Sequence, residues 1–429
     1  TFQDLVFPSK KNSPNVEVWH TLSVTLTKGE IPMDNVPNLS TICQCLKLLE
    51  LQDFRSLLGD HWAKKLFTGN TIQLHVAGQL LGATSYDMIT EQLQAHVPLQ
   101  AITGLSSISP SALSRKTTTL CTDTLQAVFV KLVQAIQHLH PDRLDKLPGG
   151  KKLCLLDATE LTLPLQRASW ANYSKSKHGV KMHTRVVVAD PAKLVYPDRI
   201  IASTVDVNET ELSLELVTDP EAIHVMDRGF QKHEHFERWD QPANKINFVS
   251  RIRENTQFVV TRNFRIPKAD RSFIVSDRKV LLNKCSRRLR LIIFRDEEEK
   301  EYFLITNCFE VPAVEIAQMY KYRWLIELFF KWIKQHLRMV KVFSYSPQGI
   351  WNQLYLVLIA FALCTLVRLQ TATSKTAWEV LKLIRIYAHY PWAALLQALE
   401  RKPSRTSKGR QRLPAPREPQ PVQKKVIVR

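Results

Sequence analysis

The chain has 429 residues, 45% of them hydrophobic and 23% charged, which is enough for two or three domains with a sizeable core. Only twelve glycines occur, and neither a P-loop nor a GxGxxG motif is present, which argues against a glycine-rich nucleotide fold. The net charge of +19 favours a polyanionic partner, nucleic acid ahead of an acidic membrane surface, because Lys and Arg release counterions from phosphates.

The charge is uneven. Residues 401–429 hold ten Lys or Arg against one Glu, a net +9, and the other 400 residues carry +10. Seven cysteines are scattered with no CxxC pair, and Cys43 and Cys45 flank a single residue, too little for a metal site. Reduced thiols in a cytosolic protein are the simplest reading. The chain opens on Thr1 with no signal-peptide pattern.

In chain order, Thr1 to Asn38 reads as irregular, broken by Pro8, Pro14, Pro32 and Pro37. Leu39 to His140 has a helical pattern. Ser109-Pro110 reads as an N-cap followed by proline at the first helical position. Ser107 to Lys116 opens either a DNA-reading helix or an ordinary capped helix of a bundle. His140 to Gly150 is a linker by composition.

The pattern then changes. Lys152 to Asp157 is a short apolar strand ending in an acid. Gly179 to Val188 and Leu194 to Thr204 are two more strands, Asn208 to Val217 a helix, and Ala222 to Asp227 another apolar strand ending in an acid. Three strands, a helix and a strand is the order of an RNase H-like core. Gln257 to Asn307 alternates apolar and polar residues, with the acidic run Asp296 to Glu299 in a hairpin turn.

Helices return from Pro312 to about Glu400. The apolar run Leu354 to Val367 is shorter than the roughly 20 residues that span a bilayer and reads as a buried helix, so no membrane is expected. The proline-containing basic tail reads as disordered, binding DNA nonspecifically or aiding solubility. No internal repeats are seen.

The expected fold is therefore α/β: an RNase H-like catalytic core interrupted by a β-rich insertion, with a helical N-terminal domain and a helical C-terminal region. The divisions are 1–145 for the helical DNA-binding domain, 150–256 for the first part of the core, 257–308 for the insertion, 309–372 for the second part, 373–400 for the C-terminal helices and 401–429 for the tail.

The chemistry-bearing segment is Tyr320 to Lys334. At 100° per residue Tyr320, Arg323, Glu327, Lys331 and Lys334 fall within an arc of about 80°. Trp324, Leu325, Ile326, Leu328, Phe329, Phe330, Trp332 and Ile333 surround that stripe. A helix apolar nearly all round should be buried, and its charged stripe must meet something that satisfies it. An intrahelical Arg323–Glu327 pair is the plainer alternative. Asp157 and Asp227, each closing an apolar strand, would converge with Glu327 if their strands are neighbours. Converging carboxylates repel one another unless a cation neutralises them. Mg²⁺ suits oxygen ligands, and two such ions serve in-line phosphoryl displacement without a side-chain nucleophile.

These residues resemble those of bacterial insertion-sequence transposases with an Asp-Asp-Glu triad, in the subgroup marked by Tyr-x2-Arg-x3-Glu-x6-Lys. Tyr320, Arg323, Glu327 and Lys334 meet that spacing in full, Leu156-Asp157-Ala-Thr159 resembles the first-Asp motif, and Met226-Asp227-Arg-Gly-Phe230 the second. The likeness covers Lys151 to Leu369 well and Leu39 to Leu120 more loosely.

The resemblance implies that Asp157, Asp227 and Glu327 are catalytic and bind two Mg²⁺ ions, with Mn²⁺ as a substitute. It implies that Tyr320, Arg323 and Lys334, with Lys331, contact double-stranded DNA at the element's terminal repeats and its target. It also implies a homodimer on paired ends, in the bacterial cytoplasm at the nucleoid. Some members stack a flipped base on an insertion Trp. No Trp lies between Trp239 and Trp324, so Phe258, Phe264 or Phe273 would substitute, or the step differs. Lys181, His183, Arg251 and Arg253 line the DNA channel or form a solvated strand edge. Cut-and-paste transposition leads, ahead of a domesticated inactive DNA-binding protein and a stand-alone nuclease.

Overall fold

A computed structural model describes residues 39–51, 54–56, 59–140, 147–171, 174, 178–192 and 194–401. The amino-terminal stretch expected to be irregular, most of the linker expected over His140 to Gly150, and all but the first residue of the basic tail lie outside these residues.

Among the described residues six α-helices come first: α1 (Thr41–Lys47), α2 (Thr68–Leu81), α3 (Tyr86–Ala95), α4 (Val97–Thr103), α5 (Pro110–Thr119) and α6 (Thr122–Leu139). Ser109 Oγ accepts from Ala112 N with Pro110 at the first position of α5, as the sequence predicts. Gly82 ends α2 in the left-handed region at φ +77°, where a side chain would be strained. Buried Asp60 accepts from Ser56 N, Thr68 N and Thr68 Oγ1 and pairs with Lys116, so α5 is tied to the start of α2.

The middle of the chain forms β1 (Lys152–Thr162), β2 (Gly179–Asp190), β3 (Leu194–Thr204), α7 (Glu209–Leu216), β4 (Ala222–Met226), α8 (His233–Trp239), β5 (Asn247–Arg251), β6 (Phe258–Asn263), β7 (Ile274–Leu282), β8 (Arg288–Arg295) and β9 (Glu301–Thr306). Five helices follow: α9 (Ala313–Tyr322), α10 (Trp324–His336), α11 (Pro347–Gln370), α12 (Ala377–Ile386) and α13 (Trp392–Glu400). The nine strands make one mixed sheet in the order β3-β2-β1-β4-β5-β9-β8-β7-β6. The pairs β1–β4 and β4–β5 are parallel, and every other neighbouring pair is antiparallel.

Helices cover both faces. Leu153, Leu155 and Leu161 of β1 share a core with Ile223 and Val225 of β4, α9 to α11 and the amino-terminal helices. Leu156 points the other way, into a second core with Met226, Phe248, Leu216 of α7 and Phe236 and Trp239 of α8. The axis of the first core is α11, longer than the apolar run by itself suggests. It is apolar enough to cross a membrane by length and composition, but 94% of its most apolar window is buried here against other elements, including α2, α5, α6 and α12.

Residues 257–308, read as a β-rich insertion, form β6 to β9, and they extend the core sheet: β9 pairs antiparallel with β5. Arg290 of β8 clamps this extension to the turn before α9. Its guanidinium is bidentate to Asp277 at 2.9 and 2.7 Å and also donates to the carbonyls of Cys308, Phe309 and Val311. Both side chains are buried, so Asp277→Ala strands a charge. The expected loss is about 3–5 kcal/mol, read from the shift in denaturant midpoint; a loss under about 1 kcal/mol would show that the clamp is dispensable.

Two local expectations are corrected. The first strand does not stop at Asp157: β1 runs on to Thr162 because Thr159 and Leu161 keep its alternation and β2 pairs with it throughout. The segment Tyr320 to Lys334 is not one regular helix. Arg323 is the joint between α9 and α10, where Arg323 N bonds Tyr320 O and Ile326 N bonds Arg323 O, each three residues apart.

Candidate active site

Pairing in the parallel β1–β4 ladder ends at Leu156↔Met226. Asp157 is the next residue of β1 and Asp227 the first residue after β4, and both carboxylates meet the helices that cover this face: Asp227 meets Tyr320 of α9, and Asp157 meets Arg323 at the joint with α10. The helix pair crosses that face: α9 touches β4, β5, β7 and β8, and α10 touches β1 and β3. This path carries Tyr320 over Asp227 and Arg323 over Asp157.

Each carboxylate is held by the protein. Tyr320 Oη donates to Asp227 Oδ1 at 2.9 Å, and Arg251 Nη1 stands 3.9 Å from the same oxygen. Arg323 Nη1 donates to Asp157 Oδ2 at 3.2 Å and its Nη2 to Glu327 Oε1 at 2.5 Å. The Arg323–Glu327 pair expected as the plainer alternative thus exists, and the same guanidinium also takes Asp157. Ala158 N donates to Asp157 Oδ1 at 2.8 Å.

Burial pushes the Asp157 carboxyl up to about 6; nearby Asp227 and Glu327 add to the rise, and the Ala158 N–H and Arg323 oppose it. Burial, then the Asp227 carboxylate, hold the Tyr320 phenol well above its ordinary value. It therefore stays a donor at neutral pH.

The site opens to solvent on two sides. One cavity, about 420 Å³, is lined by Asp157, Glu327, Phe330, Lys331, Lys334 and Gln335. Another, about 520 Å³, is lined by Asp157, Glu209, Asp227, Arg228, Phe230 and Arg253. Asp157 belongs to both. Lys331 is exposed, whereas Lys334 donates to Glu160 O at 3.2 Å, with burial holding its ammonium below the ordinary value. The buried all-round helix expected here is corrected, since Trp324 is 58% and Leu328 42% exposed. The sheet and α11 cover only one side of α10, and the other borders the opening.

Lys181 and His183 do not join the carboxylates. They are the cross-strand partners of Glu160 and Ala158, on the α7 face of the sheet. Lys181 is buried and pairs with Glu209 at 3.1 Å. His183 is wholly enclosed, its Nε2 within 2.9 Å of Ser203 Oγ, and burial pushes it down to about 4. A neutral, enclosed imidazole makes no channel wall, which corrects that expectation. Sequence reasoning missed Glu209, reading Asn208 to Val217 only as a helix. Asn208 and Glu211 do form its capping box, and Glu209 in the first turn pairs with Lys181 and lines the same cavity as Asp157 and Asp227.

Among the described residues no three His, Cys, Asp or Glu side chains stand close enough to hold one metal ion together. The donor set nevertheless fits a hard divalent cation. Asp157, Asp227 and Glu327 supply only carboxylate oxygens, and the burial of Asp157 makes a cation welcome there.

Residues 148–363, half of the chain, match the family model for the transposase DDE domain, and the chain belongs to that family. It is 29% identical over 217 residues to a probable transposase for insertion sequence element IS5377 of Geobacillus stearothermophilus, covering 50% of this chain and 56% of that one. It is 31% identical over 230 residues to the putative transposase y4zB of Sinorhizobium fredii, covering 52% and 62%. The matches thus span less than two thirds of these curated relatives. A solved piggyBac transposase synaptic complex with hairpin DNA aligns over 86% of this chain and 83% of that chain at 13% identity, with a TM-score of 0.41, too loose to define the fold.

Proposed function

We propose that the protein is a DNA transposase that moves an insertion sequence by cut-and-paste, with Asp157, Asp227 and Glu327 as catalytic metal ligands. The observation that carries this is that Asp157 of β1 and Glu327 of α10 share the fork of Arg323, while Asp227, one residue beyond β4, borders the same cavity as Asp157. The strand order β3-β2-β1-β4-β5 supports an RNase H-like core, with β6 to β9 as its insertion and the amino-terminal helices as a DNA-binding region.

Mg²⁺, or Mn²⁺ in its place, would when bound neutralise the negative charge that develops in an in-line phosphoryl displacement. Asp157, Asp227 and Glu327 would hold the ion in place. Tyr320 orients Asp227 through its hydroxyl. Arg323, Lys331, Lys334 and Arg251 draw the scissile phosphate toward the carboxylates. Water attacks first and releases a 3′-hydroxyl, which then attacks a phosphate of the opposite strand or of target DNA. The working form is a homodimer on paired ends, acting in the cytoplasm at the nucleoid.

The test combines the purified protein, a duplex ending in the element's terminal repeat and a supercoiled target. Mg²⁺-dependent cut and joined products are expected, and Glu327→Gln should lower both about a thousandfold. Strand transfer by that variant at the wild-type rate would sink the assignment. Binding without cleavage would point to a domesticated protein, and cleavage without joining to a nuclease.

A further inference from the structure

Outside residues 401–429 the charge of the chain is concentrated in one stretch. Residues 258–295, from β6 to β8, hold eleven Lys or Arg against two Asp, a net +9. Outside them and residues 401–429 the rest of the chain sums to +1. Three of the eleven are neutralised locally: Arg287 by Asp240, Arg290 by Asp277, and Arg295 by Glu299 and Glu301.

Arg262, Arg265, Lys268, Arg271, Arg278 and Lys279 have no ion-pair partner among the described residues. The first four are exposed, on the outermost strand β6 and the loop that follows it. Arg262 and Lys279 are direct cross-strand partners, a like-charged pairing that destabilises an antiparallel ladder. Edge strands do carry charges to block edge-to-edge pairing, but that duty does not explain a cluster continuing into the loop.

The loop also leads toward the carboxylates. Lys321, next to Tyr320, sits 4.6 Å over the ring of Phe273 at the end of that loop. From β4, which ends one residue before Asp227, to β6 there are five steps across the sheet. At ~4.8 Å each they cover roughly 24 Å, or about seven base pairs of duplex.

We propose that β6, β7 and the loop between them form a phosphate-backbone clamp for duplex DNA, gripping it about seven base pairs from the scissile phosphate. The clamp rests on the transposase reading and adds to it a second site on the same duplex. It reads charge and spacing and makes no base-specific contact, so either the transposon end or its flank can fill it.

The experiment measures binding of the full chain to a random 30-base-pair duplex in chelator, across a series of salt concentrations. The variant carries Arg262→Gln, Arg265→Gln, Lys268→Gln and Arg271→Gln. Its slope of log affinity against log salt should be shallower than wild type by about 3–4, near 0.9 per lost phosphate contact. A control carrying Arg262→Lys, Arg265→Lys and Arg271→Lys should keep the wild-type slope, because point charges suffice.

Phosphate-ethylation interference on an end-plus-flank duplex should show a protected cluster about seven base pairs from the cut, and its side tells end from flank. A Gln variant with the wild-type slope overturns the clamp, and loss of solubility with that slope assigns the charges to edge protection. Wild-type protein that binds no duplex would overturn the transposase reading as well.

Discussion

Asp157→Asn is expected to abolish cleavage and joining, by about a thousandfold or more, while making the metal-free protein more stable at neutral pH. Asp157 lies at the centre of the site: it borders both cavities and takes one arm of Arg323. Its carboxyl is pushed up to about 6 in the fold, against about 3.9 in an unfolded chain.

A carboxyl raised by folding binds a proton more tightly in the native state. The native state is therefore favoured at low pH and loses stability as pH climbs from about 4 to about 6. Above that range the buried charge is a standing cost of about 3 kcal/mol, which Asn does not carry. In chelator at pH 8 the variant should melt roughly 2–4 °C above wild type, and the two curves should meet near pH 4. Melting scans across that range decide the matter. A variant less stable than wild type at pH 8 would mean that the Arg323 contact outweighs desolvation. Added Mg²⁺ should raise the wild-type melting temperature and leave that of the variant nearly unchanged.

The second large effect falls on Arg323. Its guanidinium joins Asp157 to Glu327, the space a shared cation would neutralise. Arg323→Gln leaves the two carboxylates facing each other with less positive charge between them. Mn²⁺ affinity in the absence of DNA should rise, by about tenfold for each 1.4 kcal/mol of Coulomb energy released. Cleavage should fall all the same, by about 10² to 10³, because the fork that draws in the phosphate is gone. Arg323→Lys should not restore activity, since one ammonium cannot span two carboxylates as a planar fork does. Calorimetric Mn²⁺ titration and single-turnover cleavage separate the two effects. Weaker Mn²⁺ binding by the Gln variant would mean that Arg323 organises the carboxylates and does not compete with the ion.

Much of the site is legible before folding because its geometry is local. The Tyr320–Arg323–Glu327–Lys334 spacing sets one face of a helix, and apolar runs closing on Asp157 and Asp227 mark strands that leave a core. Alternation at two residues and rotation at 3.6 hold over short distances whatever surrounds them. The cap at Ser109-Pro110 and the turn at Asp296 to Glu299 are legible for the same reason.

Relations between distant segments were settled only by tertiary structure. Whether β1 and β4 are neighbours depends on a register spanning seventy residues of sequence, from Lys152 to Ala222. No periodicity tells Lys181 from Arg251: one is drawn to Glu209 beneath the sheet, the other to the neighbourhood of Asp227. The bend at Arg323, the exposure of Trp324 and the entry of Glu209 likewise follow from what each face meets. Sequence by itself singled out the candidate acids and their basic neighbours and the local element that holds most of them. The sheet order, a long-range packing outcome, decided which of them share a site.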